Sequence, residues 1–149
     1  MGIGQGAIGE AQGFGASLAR TTVNFDGDTG SGEAGTAVPL FRVTGGVIAL
    51  TIAVCTDTLV GATATVEVGT TANPAAIIAQ TGAPTITTGM TWTDATPNVL
   101  ECWTTGFGCM IGDGADIELM PRTANVTDGT LVVTCFWTPL TADGEVLGM

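Results

Sequence analysis

The chain has 149 residues, of which only 11% are charged, and three arginines against fourteen carboxylates leave it at −11. That length holds one domain. A charge of this sign opposes phosphate backbones and anionic lipid, which are bound by clustered Lys and Arg, so nucleic acid and membrane are excluded as direct partners. An apolar fraction of 45% is too high for a disordered acidic chain, and a surface so poor in charge must be buried in the chain's own core or against neighbours.

Composition shifts near residue 37. Ten of the first 36 residues are glycine, and the stretch ends in a DGDTGSGEAG run. Glycine weakens both helix and strand and raises the entropy lost on ordering. Residues 1–36 are therefore expected to form an extended glycine-rich arm. Its sparse apolar side chains, Ile3, Ile8, Phe14 and Leu18, are candidate anchors on a partner's surface, with Arg20 as its one cation. The first residues carry no basic n-region and no uninterrupted apolar h-region, so the expectation is a chain made in the cytoplasm and not exported by the usual route.

From 37 to 149 the pattern is that of strands. Leu40–Thr44 and Val47–Thr56 come first; the apolar run Val47–Cys55 is too short to cross a bilayer as a helix and contains Thr51. Ala62–Val68 alternates apolar with polar, the mark of a strand with one buried face. Ala76–Thr81, Thr85–Thr93, Val99–Thr104, Gly108–Ile111 and Asp116–Met120 follow, with turn signals at Gly45-Gly46, Ala72-Asn73-Pro74, Gly112-Asp113-Gly114 and Thr127-Asp128-Gly129. Leu131–Trp137 is apolar on nearly both faces, so it is expected to be central or interfacial, with Val132, Thr134 and Phe136 opposite Leu131, Val133, Cys135 and Trp137. Spacings of about 8–12 residues suggest an all-β sandwich or barrel, and the expectation is a single antiparallel β-sandwich, jelly-roll-like, of roughly seven to nine strands.

Chemistry is sparse. The chain has no His, Lys or Tyr, and its two serines, Ser17 and Ser31, sit outside any G-x-S-x-G elbow, so a Ser-His-Asp or Cys-His scheme is impossible. Asp116 and Glu118, with Asp113 before them, could pair as glycosidase carboxylates only across a cleft. Gly4, Gly6 and Gly9 match G-x-G-x-x-G without a preceding strand. Asp26-Gly27-Asp28-Thr29-Gly30 starts like a calcium loop but has Gly30 at its fifth position and Ala37 at its twelfth. Cys55 and Cys135 fall within strands as small core residues, and Cys102 and Cys109 are close enough in sequence either to bridge or to stay free; four scattered thiols make a poor zinc site. Trp92, Trp103, Trp137, Phe107 and Phe136 could line a sugar platform, though aromatics in strands more often serve core or interface. No enzyme activity, cofactor or metal is expected.

Three stretches, RVTGG…LTIAVCTDTLVGATATVEVGTTANPAAIIAQT ending at Thr81, WTDATP at Trp92–Pro97 and GADIELMPRTANVTDGTLVVTCFWTPLTADG at 114–144, resemble small virion proteins of tailed bacteriophages. The resemblance covers most of the chain after residue 40 and leaves the arm outside it. It implies a structural protein on the capsid exterior that decorates or cements the shell. The major capsid protein would then be its partner, and a homotrimer is expected by analogy with decoration proteins. A receptor- or glycan-binding module on the virion, or a tail or neck protein, are the alternative readings.

Overall fold

The computed structural model describes residues 17–101 and 108–149. It is all-β, built from β1 (Ser17–Asn24), β2 (Val38–Thr44), β3 (Val47–Val60), β4 (Thr65–Thr70), β5 (Asn73–Gly82), β6 (Thr91–Trp92), β7 (Cys109–Ile111), β8 (Ile117–Arg122), β9 (Asp128–Pro139) and β10 (Glu145–Gly148). The strands form two antiparallel sheets. One runs β1-β9-β3-β6, with β7 also on β3; the other runs β10-β2-β8-β4-β5. Successive strands mostly alternate between sheets, which gives the double Greek-key connectivity of a jelly roll, with β10 added at one edge.

The core lies between the sheets and follows the period-two rule. Val47, Ala49, Ala53 and Cys55 of β3 and Leu131, Val133 and Cys135 of β9 point inward against Leu40, Phe41, Val66, Val68, Ile117 and Leu119. Leu40 and Phe41 are consecutive yet both buried, because the pairing of β2 with β8 shifts register between Pro39 and Phe41. A β-bulge of this kind turns two neighbours to one face.

Two expectations change. The segment Ser17–Asn24, assigned above to the arm, is β1, which pairs with β9 along its full length. Residues 25–36 are also held: Phe25 is buried, Val126 N donates to Gly32 O (2.9 Å), Gly35 N to Pro121 O (2.8 Å), and the Asn125 side chain donates to Gly27 O (2.8 Å) while accepting from Ala34 N (3.1 Å). Gly32 has φ +136° and a Cβ there would strike the Val126 carbonyl, so glycine is required for the loop to lie this close. The sandwich therefore starts by residue 17, not 37. In addition, Thr85–Thr93 is not one strand: Ala83–Thr85 forms a 3-10 turn and only Thr91–Trp92 is extended in a sheet.

The open side of the sandwich is pinned by a buried polar link. Trp92, fully buried on β6, donates its indole N–H to Thr81 Oγ1 on β5 at 2.8 Å, and that hydroxyl donates on to Ala79 O at 2.8 Å. Thr81→Val keeps the shape but leaves the Trp92 N–H unpaired, and is expected to cost about 1–3 kcal/mol in urea unfolding. Val133→Ala, at a fully buried position of β9, is expected to cost about 1–3 kcal/mol in the same measurement. A cost near zero at Val133 would place β9 outside the core.

Candidate assembly surface

The outward sides of the two sheets differ in kind. On the β10-β2-β8-β4-β5 sheet the outward positions include Arg42, Glu118, Arg122, Glu67 and Glu145. Glu67 is nearly buried there and accepts from Arg122 Nε at 2.8 Å, the one ion pair among the described residues. This is an ordinary solvated face.

The other sheet is outwardly apolar. Register aligns its residues in rows: Leu18–Phe136–Leu50, Arg20–Thr134–Ile52, and Thr22–Val132–Val54. Ile48 and Met110 extend the face through the pairing of β3 with β7. Leu18 is 50% exposed, Val54 40% and Met110 77%, although a free monomer gains nothing by displaying them. No carboxylate occupies an outward position of residues 17–24, 47–54 or 130–138, in a chain with fourteen. The nearest on these strands, Asp57 and Asp128, lie beyond the irregularity after Cys55. Arg20, whose Nε donates to Thr134 Oγ1 at 3.2 Å, is the face's one cation.

The margin of this face along β6 holds a hollow of about 260 Å³ lined by Ile52, Thr91, Thr93, Val99, Leu100 and Glu101. Glu101 Oε1 is shielded from solvent and has no hydrogen-bond partner among the described residues. A second hollow, about 430 Å³, lies between the β4–β5 turn and residues 109–115, with Ala72, Ile77, Met110 and Ile111 in its walls and Asp113 as its only acid.

Of the expected anchors, Leu18 and Arg20 lie on the apolar face, as part of a strand instead of a free arm; Ile3, Ile8 and Phe14 lie outside the described residues. The carboxylates weighed for chemistry are used locally. Asp116 accepts from Val43 N (2.8 Å) and Glu118 from Thr71 Oγ1 (3.1 Å). In the calcium-like loop, Asp26 accepts from Ser31 Oγ and Asp28 N, and Glu33 from Thr29 and Thr36, which holds both carboxyls below their usual range. No cluster of metal-ligating side chains occurs among the described residues. The aromatic set is split: Trp92 is internal, Trp137 packs on the core, Phe136 faces out, and Trp103 and Phe107 lie outside the described residues. Cys55, Cys109 and Cys135 are free thiols, and Cys102 lies outside the described residues.

No protein-family model matches the chain, and neither the curated proteins nor the solved structures contain a significant match to it.

Burial pushes the Cys135 thiol up to about 11 from its ordinary 9. A raised folded value means stability that is whole below the unfolded value and is lost as pH climbs towards the folded one. Folding stability is therefore expected to decline from about pH 9 to 11. Iodoacetamide at about pH 8 should spare Cys135 until the chain is unfolded, since only the thiolate reacts; peptide mass mapping reads this, and early alkylation of Cys135 would contradict its burial.

Proposed function

We propose that this chain is a structural virion protein that decorates or cements the outer surface of a tailed-phage capsid through protein–protein contacts, with the major capsid protein as its partner. The carrying observation is the asymmetry between the sheets: one outward face is charged, the other apolar and free of carboxylates. A patch of this extent on an acidic chain marks a surface meant for another protein. The jelly roll is consistent with the reading, since the fold recurs in viral shells and also in lectins, and fold alone does not choose between them. The resemblance of residues 41–81 and 114–144 to small phage virion proteins favours the shell. Glycan capture draws no support from aromatics divided between core and surface.

The test is add-back to phage particles assembled without this chain. Purified protein is expected to bind heads saturably at a fixed copy number, visible as density on the shell in a particle reconstruction. Leu50→Asp, at the centre of the apolar face, and removal of residues 1–16, which stops short of β1, are each expected to reduce occupancy while leaving the far-ultraviolet circular dichroism of the sheet unchanged. Binding confined to tails or necks, or no binding to particles, would overturn the assignment.

A further inference from the structure

We propose that the outward face of the β1-β9-β3 sheet is covered by the same face of a second copy of this chain, about a two-fold axis running parallel to the strands between β9 and β3, with Arg20 of each copy set against Glu101 of the other. The inference rests on the reading of that face as a contact surface and names a second copy as what covers it; the pair would then meet the shell through its remaining surfaces, and the loss of occupancy expected of Leu50→Asp would follow from loss of the pair.

Register supplies the first argument. Arg20 pairs with Thr134, and Thr134 with Ile52. Ile52 in turn lines the hollow that holds Glu101. The row thus carries a cation at its β1 margin and ends, past uncharged side chains, at a hollow whose lining includes a carboxylate. A two-fold axis lying between two facing sheets and parallel to their strands exchanges the margins while keeping position along the strand. Arg20 of one copy then stands over the hollow of the other. An axis across the strands would instead bring β1 margin to β1 margin and leave Glu101 without a cation. Sheets packed face to face keep their strands within about 30° of each other, which an axis along the strand direction allows.

Charge supplies the second. Each copy carries −11, so contact between copies over most surfaces would stack carboxylates on carboxylates. The apolar face avoids this, because acids are missing from its interior. Glu101, the acid at its β6 margin, has no cation beside it among the described residues, and a guanidinium from the second copy would supply one. Val99 and Leu100, 75% and 77% exposed on the wall of the same hollow, would be covered by the same approach.

Size is the third. Strand spacing and rise make the face about 20 by 26 Å, so two copies remove about 1,000 Å² of surface from water, at the low end of specific interfaces. A pair that dissociates on dilution is expected. Two flat faces that meet each other also close the assembly at two copies, because the contact uses the same patch on both.

The experiment is sedimentation of the isolated full chain over a dilution series. Wild type should sediment as a reversible dimer. Arg20→Glu places carboxylate against carboxylate and should weaken the pair about tenfold or more, as should Glu101→Arg; the double variant R20E/E101R should return to within about threefold of wild type. Leu50→Asp should give a monomer. Circular dichroism checks that each variant keeps its sheet. If E101R does not, E101Q takes its place, and it must weaken the pair while R20E does so independently. A wild-type monomer or trimer, a dimer indifferent to both charge changes, or a double variant no better than the singles overturns the inference. A monomer that still occupies capsids would refute this pairing and leave the decorating role intact, whereas a charge-swappable dimer that ignores capsids would do the reverse.

Discussion

The ladder between β3 and β9 is the constraint on which the rest of the molecule depends. It joins Val47–Val60 to Asp128–Pro139 in antiparallel register over nearly the whole of both strands. β9 also carries β1 on its other side, and β3 carries the short β6 and β7. Without this ladder one sheet has no centre. Because side chains alternate, the same strand sets both the core and the proposed contact surface: Leu131, Val133 and Cys135 fill the sandwich while Val132, Thr134 and Phe136 floor the outward face. A one-residue slip would exchange the two rows and place Thr134 inside. The register is held because Leu131, Val133 and Cys135 are wholly buried, and burying them is worth on the order of 1.5–3 kcal/mol for each large side chain.

The distribution of charge follows from the same division of faces. Many of the acids sit in loops, where each is tied down by near neighbours: Asp26 by Ser31, Glu33 by Thr29 and Thr36, Asp94 by Thr96, Asp143 by Thr141. Their carboxyls are stabilised as anions there, so the charge they carry near neutral pH is compatible with the fold. Among the acids within strands Glu67 is the buried one, and Arg122 lies over it. A net charge of −11 is thereby kept off the β1-β9-β3 face, which would otherwise repel any acidic neighbour, including another copy.

Much of this was legible beforehand, and the failures have physical causes. β2, β3, β4, β8 and β9 were visible as alternating or continuous apolar runs, and Leu131–Trp137 was recognisable as a strand with two apolar faces. β1 was not, because its neighbours are glycines and its own SLARTTVN is apolar only at alternate positions; it is a strand because β9 offers it a full ladder, a long-range partner that local composition does not reveal. The 25–36 loop was misread for the same reason, its order residing in Asn125 and the carbonyls near residues 121 and 126. Thr85–Thr93 misled in the other direction: its threonines have strand propensity, but Pro84 starts a 3-10 turn and Gly89, at φ +88°, breaks the extension. Leu18 and Arg20 were picked out as contact residues on an arm, whereas their place on the face comes from pairing with Phe136 and Thr134. Glu101 drew no attention, since nothing in its local pattern shows that it lines a hollow with Ile52 at the far end of Arg20's row.

How a β-sandwich associates depends on which of its surfaces is left available. An unpaired edge strand can recruit another strand, and proteins usually block that route. Here both long edges are obstructed. At β1, Gly148 lies so close that a Cβ on it would come within 2.5 Å of the Arg20 carbonyl, and Thr21 Oγ1 donates to Met149 O, so β10 crosses the edge that β1 would offer. At the far side, β5 begins Asn73-Pro74, which lacks one backbone donor, and its pairing with β4 is twice interrupted. With the edges closed and the β10-β2-β8-β4-β5 face charged, the apolar face of the other sheet is the surface that favours close contact. Association through a sheet face, as proposed above, is therefore favoured by these surfaces over strand addition.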